Sequence, residues 1–193
     1  MRFKICHLIT IIAFLALNNL FPRFAHSETD LSLLKASSIN PRYFSDSNNK
    51  IVYLAGSHTW ANLIDRGYSD PPMPFDYEKY IKFILSCNHN FFRLWTWEDT
   101  GNLIEGTAHY YHTPLTYDRT GPGLANDGKP KFDLYSFNQA SFDRLRQRVI
   151  TAGKHGIYVS IMLFQGWSVD PKGIAGKLWE YHPFHKNNNI IWY

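Results

Sequence analysis

Three short apolar runs, at residues 51–55, 91–95 and 157–163, alternate with two segments whose apolar residues recur at helical spacing. The runs read Ile51-Val52-Tyr53-Leu54-Ala55, Phe91-Phe92-Arg93-Leu94-Trp95 and Ile157-Tyr158-Val159-Ser160-Ile161-Met162-Leu163. They have the length of strands and little of the alternation expected of a sheet that faces water on one side. Between the first two, Tyr77, Tyr80, Ile81, Ile84 and Leu85 fall at i, i+3, i+4, i+7 and i+8, and Asp76 is placed to cap the helix. Cys87 ends this stripe on the side expected to be buried. Between the second and third runs, Asn138 opens a helix that turns Phe142, Leu145, Val149 and Ala152 inward and closes at Gly153 and Gly156. Apolar strands separated by amphipathic helices imply an α/β fold with a parallel sheet buried on both faces.

The connections give the sheet a direction. Helix-to-strand links are a few residues, whereas the strand-to-helix loops are long and aromatic, above all the Gly-, Tyr-, Thr-, Asp- and Asn-rich stretch 99–137. That asymmetry is expected where the C-terminal strand ends carry a binding face, as in a TIM (β/α)8 barrel or an open doubly wound sheet. No Gly-x-Gly-x-x-Gly and no Walker-type loop follows a strand, which counts against the nucleotide-binding open sheet. Upstream, Arg42-Tyr43-Phe44 and the run 51–55 flank a turn-rich segment, Ser45 to Lys50, and read as a β-hairpin. A complete barrel needs roughly 250 residues; with 193, this chain is expected to form a partial barrel. The expectation is three adjacent parallel strands with two or three helices, preceded by the N-terminal hairpin.

Arg2 and Lys4 precede an apolar run from Ile5 to Leu17, and Ala25-His26-Ser27 fits signal-peptide cleavage. Asn18, Asn19, Pro22 and Arg23 interrupt the run before it reaches the roughly 20 residues of a membrane span. The expected organisation is a signal peptide at 1–27, a linker at 28–39 and the incomplete barrel domain at 40–193, secreted or periplasmic after cleavage near Ser27. Cleavage removes Arg2, Lys4 and Arg23 but no acid, and lowers the formal charge from +4 to +1. A nearly neutral mature chain offers no electrostatic case for nucleic acid or for an anionic membrane. Cys87 is then the single cysteine, so no internal disulfide and no cysteine-based zinc site is expected.

The strand tips supply His58 and Trp60, then Arg93, Trp95, Trp97 and Glu98, then Gln165 and Trp167. Indole rings beside Arg, Glu, Gln and His suit a sugar, whose C–H faces rest on aromatic rings while its hydroxyls take directional hydrogen bonds. Trp95 and Trp97, two apart, could instead fill the interior of the fold. A charge at Arg93, inside an apolar strand, calls for a buried carboxylate or a ligand, and a structural ion pair with Glu98 shares that geometry. His58 suits either a substrate hydroxyl or a satisfied core position. His109-x-x-His112 and His182-x-x-His185 have metal-ligand spacing, but both sit in turn-like segments without a third ligand, so no metal and no cofactor is expected. No Gly-x-Ser-x-Gly elbow is present for a serine nucleophile.

Four segments together, Asn40-Pro41-Arg42-Tyr43-Phe44 through Gly56-Ser57-His58-Thr59-Trp60, Asn90-Phe91-Phe92-Arg93-Leu94-Trp95-Thr96-Trp97-Glu98, Tyr117-Asp118-Arg119-Thr120-Gly121-Pro122-Gly123 and Leu163-Phe164-Gln165-Gly166-Trp167, resemble the N-terminal part of secreted bacterial cellulase-like glycoside hydrolases, including apiosidase-like enzymes. The resemblance covers about Asn40 to Asn189. It implies a retaining (β/α)8 hydrolase with an acid/base at the end of the fourth strand and a nucleophile at the end of the seventh, about 5–5.5 Å apart. It places Arg93 as the residue that supports the nucleophile and His58, Trp97, Glu98 and Trp167 on the active face. Both catalytic carboxylates are expected beyond the third strand, so no catalytic residue is assigned within this chain. The function so implied is a fragment of a glycoside hydrolase acting on a polysaccharide or oligosaccharide. A non-catalytic carbohydrate-binding module and a degenerate fragment without stable function are the alternatives.

Overall fold

The computed structural model describes residues 31–104, 108–169 and 178–191, and among them Asp76 and Asn138 start two α-helices; the expected signal peptide lies outside them. Helix α1 spans Tyr77–Ser86 and the Asp76 carboxylate accepts the Lys79 amide; α2 spans Gln139–Lys154 and the Asn138 side chain accepts the Ala140 amide. Each cap satisfies one donor that a helix N-terminus leaves without an intrahelical partner. The apolar stripes decide the buried faces: Tyr80, Ile81 and Ile84 of α1 join Ala152 of α2 in one core, with Leu85, Leu145 and Val149 at its margin. Cys87 is exposed, against the expectation that it packs inward. It follows the last helical residue as the C-cap, at φ −91° and ψ 5°, so the stripe no longer governs its direction.

Ten strands occur among the described residues: β1 (Lys35–Ala36), β2 (Phe44–Ser45), β3 (Ile51–Val52), β4 (Asp65–Gly67), β5 (Phe91–Trp95), β6 (Gly101–Ile104), β7 (Ala108–Thr113), β8 (Tyr117–Leu124), β9 (Pro130–Phe137) and β10 (Tyr158–Met162). β5 and β10 pair in parallel, in register from Phe91↔Tyr158 to Trp95↔Met162. Their alternation sorts the faces. Phe92 and Leu94, with Val159 beside them, pack on the helices together with Ile157, Leu63 and Ile64. Arg93 and Trp95 project from the opposite face, where Arg93 is exposed.

This arrangement overturns the partial barrel. Of the three runs expected as adjacent parallel strands, only the second and third form a parallel pair. The first enters a small antiparallel sheet, β1-β2-β3, in which Ile51 pairs with Ser45 and Val52 with Phe44. Its turn explains the outcome: the Asp46 carboxylate accepts the Asn48 and Lys50 amides, which closes a local hairpin and turns Tyr53 outward at 79% exposure. Past that turn the chain reaches β5 at the parallel bridge Gly56↔Phe91, beside Asn90, whose side chain accepts the Ala55 amide and donates to the Tyr53 carbonyl, and the Asn62 side chain then donates to the Arg93 carbonyl and accepts the Trp95 amide. A Cβ on Gly56 would lie 1.7 Å from the Phe91 carbonyl oxygen, so only glycine permits the approach. Among the described residues no strand pairs with the other edge of β10, and beyond its end Leu163 and Phe164 are 55% and 71% exposed.

The stretch 99–137, expected as a loop, carries most of the remaining sheet structure. β4, β7 and β6 form an antiparallel sheet, and β8 and β9 form a hairpin with register shifts after Tyr117 and between Arg119 and Leu124. Segment 178–191 is sewn onto that hairpin: the Phe132 amide donates to the Asn188 carbonyl and the Ile190 amide to the Phe132 carbonyl. Phe132, fully buried, lies under the Arg119 guanidinium at 4.0 Å. No helix among the described residues is long and apolar enough to cross a membrane.

Candidate functional site

The end of β5 and the segment beyond Gly56 bring four of the anticipated residues together. The His58 and Trp60 rings meet edge-on with centroids 5.5 Å apart, and Trp95 lies 5.6 Å from His58 and 5.1 Å from Trp60. Trp97 stands behind them, 6.5 Å from Trp60, buried and anchored by its indole N–H, which donates to the Trp60 carbonyl. Trp60 itself is 55% exposed. The result is a rim of rings whose outer member, Trp60, is more than half open to solvent. Arg93 projects from the same side of β5 as Trp95, exposed and without an ion pair among the described residues. The carboxylate expected beside it is not there, because the uncovered sheet face leaves the guanidinium hydrated.

Glu98 and Gln165 belong to a different place. Glu98 is 4% exposed rather than open at a strand tip, and its carboxylate accepts the Gln165 amide at 3.2 Å and faces His182 Nε2 at 3.8 Å. The neighbouring Asp99 is fully buried. His112 Nδ1 lies 3.2 Å from its Oδ1 and 3.0 Å from its carbonyl oxygen, and the Gly101 amide donates to Oδ1. Gln165 spans both acids, since its side-chain amide also donates to Asp99 Oδ2 at 3.4 Å and to Ser168 Oγ. Trp167 opens the short 3-10 turn that carries Ser168; it is 54% exposed and no ring contact among the described residues joins it to the rim.

Asp99, His112, His182 and Ser168 were not anticipated as one group. Their signal in the sequence was the two His-x-x-His pairs, but the first pair supplies His112 to Asp99 and the second supplies His182 to Glu98. Among the described residues, no three His, Cys, Asp or Glu side chains come within reach of a metal ion. The network holds the loop after β5 against segments 165–168 and 178–191. Glu98 also lines a largely apolar cavity of about 470 Å³ with Tyr117, Phe137, Phe142 and Leu163. Burial, and secondarily the charge of Glu98, raises the pKa of the Tyr117 hydroxyl above its ordinary value.

A cation–π ladder connects the rim to the hairpins. The Arg66 guanidinium lies 5.0 Å from the Trp97 ring and 4.3 Å from the Tyr110 ring. The positions at which aromatic faces and polar edges meet are therefore continuous from Trp60 to Tyr110. No family model, curated protein or solved structure matches the chain.

Proposed function

We propose that the chain binds carbohydrate at the rim formed by His58, Trp60 and Trp95, as the sugar-gripping part of a glycoside-hydrolase-like protein. The observation that carries this reading is the clustering of three rings within 5.6 Å of one another at the end of a strand, with Trp60 more than half exposed. A flat exposed indole accepts the C–H face of a sugar, while Arg93 and His58 offer donors to its hydroxyls. The resemblance of the rim segments to cellulase-like hydrolases supports the same ligand class.

Glycoside hydrolysis is the second reading, and Glu98 favours it, as a buried carboxylate that lines a cavity. Retention of configuration needs a second carboxylate about 5–5.5 Å away acting independently. Asp99, the adjacent acid, is committed to His112, Gly101 and Gln165. Binding is thus the activity the described residues support best.

Tryptophan fluorescence titrated with soluble plant and bacterial glycans tests the proposal. Trp60→Ala leaves the carbonyl that anchors Trp97 in place, so the fold survives, and loss of one stacking ring weakens binding about tenfold. Glycans that leave the fluorescence unchanged, or a Trp60→Ala chain that binds them as the parent does, would refute the rim. Reducing ends released by the parent and abolished in Glu98→Gln would move the assignment to hydrolysis.

A further inference from the structure

The cavity of about 470 Å³ beside Glu98 draws its wall from several elements: Tyr117 of β8, Phe137 of β9, Phe142 of α2, and Leu163 and Phe164 beyond β10. Its volume lies within the range of small-ligand sites. The Phe137 and Phe142 rings meet at 85° with centroids 5.5 Å apart, and the Tyr117 ring lies 5.6 Å from Phe137 at 28°. Three rings therefore make a corner rather than a flat stack. Phe137 and Phe142 are 59% and 38% exposed, so a ligand can reach them from solvent. The face of each ring is the negative part of its quadrupole.

The lining contains one charge, and it is negative. Glu98 is the single ionic residue of the wall among the described residues; no Lys, Arg or His joins it there. Its Oε2 accepts the Gln165 amide at 3.2 Å, and Oε1 accepts no hydrogen bond among the described residues. His182 Nε2, at 3.8 Å from Oε2, is beyond hydrogen-bond reach, and because its Nδ1 accepts the Phe184 amide the imidazole is neutral. The cations of the hairpins and of α2 are spent elsewhere: Arg119 on Asp127, Lys129 on Asp70 and Arg144 on Asp65. A carboxylate that is 4% exposed and has no cation is costly until a positive charge is supplied. Its field reaches the ring corner, since burial first and the Glu98 charge second raise the pKa of the Tyr117 hydroxyl.

We propose that this cavity is a second binding site, for a small quaternary ammonium ion of the size of choline. The methyl groups of the ion rest on Phe137, Phe142 and Tyr117, and its charge is met by the ring faces and by the Glu98 carboxylate. A quaternary centre carries no N–H, whereas a primary ammonium brings three donors that a largely apolar lining leaves partly unmet. An anion would meet the Glu98 charge. The inference stands on the ring corner and its lone carboxylate, and it does not rest on sugar binding at the rim.

The test is calorimetry and NMR on the full chain with choline and tetramethylammonium, against dimethylbutanol as the uncharged isostere of choline and benzoate as an anion. Choline is expected to bind about tenfold more tightly than dimethylbutanol, the margin of a desolvated cation over rings and a carboxylate. Its methyl protons are expected to show nuclear Overhauser contacts to the Phe137 and Phe142 rings. Glu98→Gln keeps an oxygen for the Gln165 amide and is expected to weaken choline about tenfold; Phe142→Leu, at a partly exposed ring, is expected to weaken it about threefold. Absence of choline binding, equal or tighter binding of dimethylbutanol or benzoate, or full choline affinity in either variant overturns the proposal. Contacts from choline to the Trp60 or Trp95 rings instead also overturn it and place the cation at the rim. The isostere comparison and the contacts are read on the parent chain, so the proposal stays testable even if Glu98→Gln does not fold.

Discussion

The rim and a cavity between the hairpins sit at the two ends of the ladder that runs through Trp97, Arg66 and Tyr110, and they are built in contrasting ways. The rim crowns a regular strand; its outer ring is 55% exposed, and Arg93, on the same face of β5 as Trp95, has no ion pair among the described residues. The cavity, about 590 Å³ between β7, β8 and Tyr181, is walled by hairpins on which Arg119 pairs with Asp127 and Lys129 with Asp70, and its support is the buried contact of Asp99 with His112. An open ring gives contact area with little demand on direction, whereas paired charges and a buried acid–imidazole contact hold the side chains around the cavity in fixed positions. The contrast extends to stability: what is exposed can be removed at little cost, and what supports the cavity cannot.

The largest effect is expected where that support is cut. Asp99→Ala leaves the His112 imidazole, the Gly101 amide and the Gln165 side chain without a shared acceptor in a fully buried site. Leaving buried donors without their acceptor costs about 1–3 kcal/mol each, for a loss above about 3 kcal/mol. Trp60→Ala, at the rim, is expected to cost under about 1 kcal/mol. Urea unfolding of the two variants beside the parent checks both, and equal losses would erase the distinction between the two ends.

The parts of the molecule legible in the sequence are those determined locally. Asp76 and Asn138 cap helices where their spacing placed them, since a cap and a stripe are properties of neighbouring residues. The apolar run 51–55 is expected both as the second arm of the N-terminal hairpin and as a buried parallel strand; the Asp46 turn holds it in the antiparallel hairpin, and its length and composition do not show that no parallel ladder follows. Stretch 99–137 looked like loop because β8 and β9 contain Asp, Gly and Pro and change register twice, which destroys the period-two pattern. At the candidate site, the ring cluster was legible because His58, Trp60, Trp95 and Trp97 end or closely follow two apolar runs in the sequence. The acid–imidazole network was not, since its pairs join residues distant in the chain: His182 reaches Glu98 and Gln165 reaches Asp99.

An intermediate effect is expected at the seam that closes the cavity side. Asn188, 1% exposed, accepts the Asn126 amide at 2.9 Å and donates to the Glu180 and His182 carbonyls, each at 2.8 Å. Asn188→Ala forfeits three hydrogen bonds worth about 0.5–1.5 kcal/mol each, for a loss of about 2–3 kcal/mol. Hydrogen exchange locates the loss: the Asn126 and Phe132 amides should exchange faster while those of α1 keep their protection. Uniform acceleration through α1 would mean that the two regions unfold as one unit.

The smallest effect separates the regions by pH. Burial raises the hydroxyl pKa of Tyr77 and Tyr80 in the core; at Tyr117, beside the Glu98 cavity, the Glu98 charge adds to burial. In the unfolded chain each tyrosine ionises near the ordinary value of about 10, and in the folded chain only at higher pH. The folded state therefore holds more protons above about pH 10, and the stability these residues contribute, intact below that pH, is lost as pH rises through this window. Arg148 works in the opposite sense, because burial lowers its pKa to about 10 and the folded state releases that proton first. With Tyr68 and Tyr158 also raised, five tyrosines against one arginine leave a net fall, which urea midpoints at about pH 8 and about pH 10.5 should record. Tyr77→Phe also removes the hydrogen bond to the Arg148 carbonyl, 2.7 Å long, and costs about 1 kcal/mol at neutral pH while flattening the alkaline decline. Tyr117→Phe flattens it as well, but only here should a prior Glu98→Gln substitution reduce the effect, because only Tyr117 owes part of its shift to that carboxylate. A decline unaffected by either tyrosine substitution would place the alkaline sensitivity in other groups.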